Sequence, residues 1–175
     1  MNNWDQYFFS ICEVLSSNSK CFSRKIGAIL VKDKSIISTG YNGPPRGVDR
    51  CDERYMIDLN LRKEFIRKDI DVFDSSLFVG KCPRRVLGYK SGEGLEWCDA
   101  GHAERNCIVN AARNGTTTKG TILYANCPIP CTPCLIEIIN AGVEEIIISD
   151  LEYYDPTGEF LIQNSGIKIR EFKLD

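Results

Sequence analysis

The chain has 175 residues, of which 43% are hydrophobic and 26% charged, as in an ordinary globular domain. Its net charge is only −2, so the strongly basic field that attracts a polynucleotide is absent and we expect no polynucleotide partner. The first residues lack the basic and apolar segments of a signal peptide, and no apolar run reaches membrane-spanning length. We therefore predict a cytoplasmic protein that does not associate with a membrane.

Nine cysteines are many for a chain of this size. Their number is odd and no export signal accompanies them, which favours metal ligation in a reducing compartment over a disulfide scaffold. They are Cys12, Cys21, Cys51, Cys82, Cys98, Cys107, Cys127, Cys131 and Cys134.

The first forty residues predict a helix followed by a hairpin. Apolar residues from Trp4 to Leu15 recur at helical spacing, and the apolar run 26–31 predicts a buried strand. A second strand over 35–39 suits a hairpin with the first. The glycines and prolines of 40–47 then predict a loop, which is either a plain surface turn or a functional loop at a strand end.

Residues 51–101 are the least regular part of the chain. The charge-rich segment 58–72 predicts a surface helix, and the remainder predicts ordered loop. We interpret the region as an insertion within a single domain spanning residues 1–175, because it holds too few apolar residues for a core of its own.

From His102 onward helices and strands alternate. The predicted elements are a helix from 102 to 115, a strand over 121–125, a helix over 131–140, a strand over 145–149, a helix over 158–164 and a strand over 167–172. Helical crossovers imply parallel pairing of the later strands, while the first two strands pair antiparallel. The order predicts an α/β fold, a three-layer α-β-α sandwich with a mixed sheet of about five strands.

Two short motifs carry the chemistry, His102-Ala103-Glu104 and Pro130-Cys131-Thr132-Pro133-Cys134. One histidine and two cysteines are three ligands for a tetrahedral zinc, which leaves the fourth position for water. Cys131 and Cys134 are three residues apart, so at the start of a helix they share a face, and the helix N-terminus favours their thiolates. Glu104 is close enough to His102 to act as the general acid–base catalyst on that water.

The pattern H-x-E followed by P-C-x-x-C is the signature of zinc deaminases, in which hydroxide attacks C4 of a cytosine ring. A structural zinc site is the first alternative, but it requires a fourth protein ligand and has no use for Glu104. An iron–sulfur site using Cys127, Cys131 and Cys134 is the second, although the roughly forty residues that follow are few to enclose a cluster.

The chain resembles the deoxycytidylate deaminase family, within the cytidine and deoxycytidylate deaminase superfamily. The resemblance lies in residues 26–31, in Gly40-Tyr41-Asn42-Gly43-Pro44 and in His102-Ala103-Glu104-Arg105-Asn106. It implies a cytidine deaminase-like fold and zinc-dependent hydrolysis of dCMP to dUMP and ammonia, which supplies thymidylate synthesis. It also implies a homo-oligomer, a hexamer in many members, that dCTP with Mg²⁺ activates and dTTP inhibits.

The resemblance places Asn42 on the deoxyribose hydroxyl and Tyr153 in the nucleotide pocket. It associates Arg113 with the response to effectors, although a solvated cation at a helix end is an equal interpretation. Charge alone makes three further residues candidates for phosphate or effector binding, and a surface role is the alternative for each. They are Arg24, Lys25 and Arg46.

The resemblance further implies a second, structural zinc, because some family members have one with ligands that partly match Cys21 and Cys51. Adding Cys82 and Cys98 gives four thiolates, enough to close a tetrahedral site. The alternative is a set of scattered buried thiols.

The substrate stays open at this stage between dCMP and dCTP. Other candidates are a free base, a purine or a base in tRNA or DNA, all within the same superfamily. A zinc-stabilised nucleotide-binding module without turnover is the alternative from another class. Glu104 favours the enzyme, because a binding module has no need of an acid beside its metal.

Overall fold

The computed structural model describes residues 4–174, which form one mixed β-sheet with helices on both faces and a second unit. The strands are β1 (Gly27–Lys32), β2 (Ser35–Tyr41), β3 (Ile122–Pro128), β4 (Glu145–Asp150) and β5 (Lys168–Glu171). The helices are α1 (Trp4–Ser16), α2 (Leu59–Arg67), α3 (Pro83–Val86), α4 (Ala103–Arg113), α5 (Thr132–Asn140) and α6 (Pro156–Ser165).

The five strands lie in the order β2-β1-β3-β4-β5. Strand β1 is antiparallel to β2 and β3, whereas β4 runs parallel to β3 and β5 parallel to β4. A two-residue turn with positive φ at Asp33 and Lys34 closes the first hairpin, as the twist of paired strands requires. The parallel neighbours are joined through α5 and α6, because a parallel connection needs a crossover. The predicted mixed sheet is confirmed.

Alternate side chains of the sheet enter two different cores, as the pleat dictates. Ala28 and Leu30 of β1 belong to the core that includes α4, α5 and α6. Ile29 and Val31 belong to the opposite core, which α1 covers. These two cores confirm the three-layer α-β-α arrangement.

Helix α4 lies directly on strand β2, and Gly40 is the residue that permits it. A Cβ at Gly40 would stand 2.3 Å from the carbonyl oxygen of Ala103 and 2.5 Å from the backbone nitrogen of Cys107. No side chain fits in that space, so the backbones of helix and strand meet without one. This contact sets the height of the α4 N-terminus above the sheet.

The chain divides into two compact units. The first comprises the described residues up to Ser19, Ile26–Asn42 and the chain from His102 onward, and the second comprises Lys20–Lys25 and Gly43–Gly101. The single-domain interpretation remains a prediction.

The second unit has a hydrophobic cluster of its own. Its buried members are Tyr55, Leu61, Phe65, Val72, Phe78 and Leu87. The expectation that this region has too few apolar residues for a core is therefore wrong. Half of these side chains, those of Val72, Phe78 and Leu87, come from backbone outside helices and strands, which shows no period in the sequence. The predicted surface helix is also shorter than expected, since α2 ends at Arg67.

Two further boundaries differ from the prediction. Helix α6 begins at Pro156, two residues earlier than expected, because Asp155 caps it and proline suits a first turn. Strand β3 continues to Pro128, close to the second metal motif. Within residues 4–174, no helix combines the length and apolar character needed to cross a bilayer.

Candidate metal centre and catalytic site

Two helix N-termini supply the predicted metal ligands. His102 is the N-cap of α4, and Cys131 is the N-cap of α5, with Cys134 in the first turn of that helix. Both N-cap residues have extended backbone angles, and neither side chain makes a capping hydrogen bond. Pro133 is tolerated here because the first turn has N–H groups without helical partners anyway. The ligand side chains are consequently turned toward one another.

The three ligand atoms form a compact triangle. His102 Nδ1 lies 3.2 Å from Cys134 Sγ and 3.4 Å from Cys131 Sγ, and the two sulfurs are 3.5 Å apart. Ligands arranged tetrahedrally around zinc, at Zn–S of about 2.3 Å and Zn–N of about 2.0 Å, stand about 3.5–3.8 Å from one another. The observed spacing and the N/S donor set therefore fit zinc.

The pKa shifts within this group also support a metal site at the same three residues. The hydrogen-bonding contact of Cys131 with Cys134, and then that with His102, holds the pKa of the Cys131 thiol well below its usual range. The same contact with Cys131 raises the pKa of His102. A sulfur that ionises readily is the form in which cysteine binds metals.

Glu104 lies in the first turn of α4, two residues beyond His102, and is only 3% exposed. Its Oε2 has no hydrogen-bond partner among the described residues, and its Oε1 is 4.0 Å from Cys127 Sγ. Burial raises the pKa of this carboxyl. A buried carboxyl oxygen without a partner is unfavourable in a purely structural role and is typical of a group that acts on a ligand.

Asn42 follows β2 directly and is buried. Its side-chain Oδ1 accepts hydrogen bonds from Ser19 Oγ at 2.7 Å and from the Ile26 backbone N–H at 2.9 Å. Because the Ile26 N–H can only donate, the oxygen of the amide must face it. The Asn42 NH₂ group therefore points the other way, as a hydrogen-bond donor.

The remaining predicted residues are spread over both units. Tyr153 lies in the loop after β4 and is 41% exposed. Arg113 is the last residue of α4, so the length of the helix, about 15 Å, separates it from His102. Arg24, Lys25 and Arg46 are exposed residues of the second unit. Their roles in binding phosphate or effectors remain predictions.

The four other candidate ligands all belong to the second unit. They are Cys21, Cys51, Cys82 and Cys98. Burial first, and then the neighbouring Asp99, raises the pKa of the Cys51 thiol to about 12. Nevertheless, apart from the triangle of His102, Cys131 and Cys134, residues 4–174 contain no three His, Cys, Asp or Glu ligand atoms within 4.8 Å of one another.

Sequence reasoning missed several residues that support the site. Ser19 carried no signal, because a serine at the end of a helix is common. Arg105 of α4 donates through Nη2 and Nε to the two carboxylate oxygens of Glu137 of α5, at 2.7 and 2.9 Å, and so joins the two ligand-bearing helices. Asp155 accepts a hydrogen bond from Thr132, which lies between the two cysteines in the sequence. An aspartate directly before a proline is a typical start of a helix, so Asp155 could have been predicted as an N-cap.

The comparison with known protein families agrees with this geometry. The family model described as "Cytidine and deoxycytidylate deaminase zinc-binding region" matches residues 2–150. The chain belongs to this family. Members share a zinc-binding region, and among residues 4–174 the triangle of His102, Cys131 and Cys134 is a group that could hold the metal.

Individual family members match over nearly the whole chain. The deoxycytidylate deaminase of Enterobacteria phage T4 is 35% identical over 91% of this chain and 84% of its own length. That of Saccharomyces cerevisiae is 28% identical over 97% of this chain but only 45% of its own length, so the chain spans less than half of this relative. A crystal structure of the dCMP deaminase from cyanophage S-TIM5, in complex with dCMP and dUMP, superposes with a TM-score of 0.64 at 23% identity over 98% of both chains, and supports the fold.

Proposed function

We propose that the chain is a zinc-dependent deaminase that hydrolyses dCMP to dUMP and ammonia. The observation that carries this proposal is the three-ligand triangle beside a buried carboxyl, Glu104, with an oxygen that has no partner among the described residues. A three-ligand site is the kind that retains an open position for catalysis. The choice of dCMP is supported by relatives named deoxycytidylate deaminase, including the phage protein that is 35% identical.

His102, Cys131 and Cys134 would hold the metal, which when bound makes water a nucleophile at neutral pH. Glu104 takes a proton from the attacking water and passes it to N3 of the ring. It then carries the proton of the new C4 hydroxyl to the amino group, the C4–N4 bond breaks, and ammonia leaves. The water oxygen remains on C4, so the product is a uracil nucleotide.

The first test replaces the proposed acid–base group. We expect Glu104→Gln to lower turnover of dCMP by at least about 10²-fold, because one positioned proton carrier contributes on that order. Absorbance-monitored assays with dCMP, dCTP, CMP, deoxycytidine and cytosine measure turnover, and metal analysis shows whether zinc is retained.

Glu13→Gln, on the exposed face of α1, makes the same chemical change away from the site and should leave turnover intact. Undiminished activity in Glu104→Gln would exclude the assigned role. Turnover of another member of the substrate panel in preference to dCMP would replace the proposed substrate.

We also propose a second, structural zinc in the second unit, held by Cys21, Cys51, Cys82 and Cys98. The electrostatic influence of Cys21 and Cys82 on Cys51 supports proximity of three of these thiols. Closing four thiolates around a metal requires a shift of side chains, which metal binding commonly provides. Purified protein should then contain close to two zincs per chain. A content of one zinc, unchanged in Cys51→Ser and Cys82→Ser, would rule the second site out.

Assembly, regulation and location rest on the family resemblance and on the thiols. We propose a homo-oligomer, such as the hexamer of many family members, activated by dCTP with Mg²⁺ and inhibited by dTTP, with Arg113 in the response. We propose a cytoplasmic location because all nine cysteines are free, which suits a reducing compartment. Asn42 would donate to the sugar hydroxyl, Tyr153 would line the nucleotide pocket, and Arg24, Lys25 and Arg46 are candidates for the phosphate.

A further inference from the structure

A single carboxylate joins the starts of two helices beside the metal ligands. Asp155 is the N-cap of α6, and its Oδ1 accepts a hydrogen bond from the Gly158 backbone N–H at 2.7 Å. The same oxygen accepts a second hydrogen bond, at 2.6 Å, from the hydroxyl of Thr132. Thr132 is the first residue of α5 and lies between Cys131 and Cys134.

Helix α5 lacks the usual means of stabilising its own N-terminus. Its N-cap residue, Cys131, makes no side-chain capping hydrogen bond, because its sulfur faces His102 and Cys134. An N-cap side chain ordinarily satisfies one of the N–H groups left over in the first turn. A carboxylate beside that turn, supplied by Asp155, interacts favourably with the helix dipole.

The hydrogen bonds keep this carboxylate charged. The Thr132 hydroxyl first, and then the Gly158 N–H, hold the pKa of Asp155 below its usual range. The negative charge therefore persists at neutral pH, where hydrogen bonds to an ionised acceptor are shorter and stronger than neutral ones.

Close packing transmits the position of one helix start to the other. A Cβ at Gly158 would lie 3.3 Å from Leu135 Cδ1 and 3.8 Å from Thr132 Oγ1, so the first turns of α5 and α6 are in near contact. Leu135 of α5 and Ile162 of α6 are both buried in the same core cluster. A shift of the Asp155 loop would therefore displace the turn that carries the cysteines.

We propose that Asp155, through its hydrogen bond to Thr132, is a positioning residue that holds the Cys131–Cys134 turn in its metal-binding geometry and connects that turn to the loop bearing Tyr153. The inference rests on the zinc site of the proposed function but not on its substrate. Among the described residues Asp155 accepts hydrogen bonds from Thr132 and Gly158 and not from either ligand sulfur, so it acts through Thr132 and not on the metal.

The test separates this role from simple helix capping. Thr132→Val removes the hydroxyl but preserves the branched shape, and it leaves Asp155 free to cap α6. We expect zinc to pass from Thr132→Val to a chelator about tenfold faster than from the wild type, the size of effect typical of groups that support metal ligands. Thr132→Ser, which keeps the hydroxyl, should restore the slow release.

Two further variants complete the design. Asp155→Ala should also release zinc faster, and the double variant with Thr132→Val should be no faster than Asp155→Ala alone, because both changes remove the same hydrogen bond. Asp58→Ala removes an equivalent N-cap from α2 in the second unit, where Asp58 accepts from Asn60 and Leu61. It should lower Tm without changing the rate at which zinc leaves the site of His102, Cys131 and Cys134.

The proposal would be overturned if Thr132→Val released zinc at the wild-type rate. It would also be overturned if the increases in release rate of the two single variants multiplied in the double variant. The chelator assay does not depend on turnover. If the wild type held zinc with the expected pattern of release but failed to deaminate dCMP, the proposed function would fail while the positioning role of Asp155 stood.

Discussion

Asn42 illustrates how buried hydrogen bonds orient a polar group at the scale of a single residue. Its side-chain oxygen accepts hydrogen bonds from Ser19 Oγ and the Ile26 N–H. These two donors fix the oxygen on their side and leave the NH₂ group pointing away from them. The Ser19 hydroxyl also lies 2.8 Å from the Asn42 carbonyl oxygen, so it contacts both the side chain and the backbone of Asn42. Glu104 is the opposite case, a buried carboxyl with one oxygen left without a partner in the described chain.

The orientation of Asn42 makes Ser19→Ala informative. We expect the KM for dCMP to rise about fivefold with little change in kcat, since one lost hydrogen bond is worth about 1 kcal/mol. Steady-state kinetics measure both constants. Ser17→Ala is the matched control, because the exposed Ser17 hydroxyl, just after α1, donates to the carbonyl of Val14 and not to Asn42. An unaltered KM in Ser19→Ala would mean that Asn42 does not depend on Ser19.

At the scale of elements, the site depends on how closely α4 approaches the sheet. Helix and strand meet at Gly40, with the Ala103 carbonyl and the Cys107 nitrogen as the nearest atoms. Ser38 adds a hydrogen bond of 2.7 Å to the Cys107 carbonyl, and Asn106 and Asn110 reach the carbonyls of Tyr41 and Thr39. This row of contacts holds α4, and with it His102 and Glu104, against β2.

Gly40→Ala should therefore damage the metal centre from a distance. The added methyl group has no space, so α4 must move, and we expect a loss of about 1–3 kcal/mol in the free energy of unfolding. The zinc content and the turnover of the variant should fall together with its free energy of unfolding. Denaturant titration and metal analysis provide the measurements. Gly43→Ala is the control, because its Cβ would meet Lys20 at an ordinary 3.7 Å. Equal stability of the two variants would contradict the argument.

At the scale of the first unit, the last strand is tied to the first helix. Arg170 of β5 donates to both oxygens of Asp5, at 2.7 and 2.9 Å, and to Glu145 at 2.8 Å. Tyr124 of β3 donates to Asp5 at 2.8 Å. Residues 165 positions apart thus meet across the α1 face of the sheet. The network therefore ties α1 to strands β3, β4 and β5.

This network makes part of the stability dependent on pH. Hydrogen bonds from Arg170 lower the pKa of Asp5, so the folded state is favoured while the carboxyl is ionised. The benefit is complete above the unfolded value of about 3.9 and is lost as the pH falls through the lower folded value. We expect Asp5→Asn to cost about 1 kcal/mol at pH 7, because the pair is partly exposed.

Urea unfolding at pH 7 and near pH 2.5 measures the effect, and the difference between variant and wild type should shrink at the lower pH. Asp33→Asn makes the same chemical change in the hairpin turn, where asparagine accepts a positive φ. A deficit of Asp5→Asn that stayed constant with pH would show that the charge of Asp5 does not contribute.

The sequence by itself determined the order of helices and strands in the first unit and singled out the candidate metal ligands. Both depend on residues close together in the sequence. Helices and strands follow from apolar periods of 3.6 and two residues, and the ligands follow from motifs with spacings of two or three positions. Strand pairing followed from the lengths of the connections, because only a helical crossover returns a strand in parallel.

Only the tertiary structure decided what surrounds those ligands. The bonds from Ser19 to Asn42 and from Thr132 to Asp155 each join residues 23 positions apart, and the core of the second unit gathers side chains from irregular backbone. Such contacts leave no period or spacing in the sequence, because they arise when separately formed elements pack. The identity of a ligand is thus a local property of the chain, whereas the orientation of the groups that support it is set by packing.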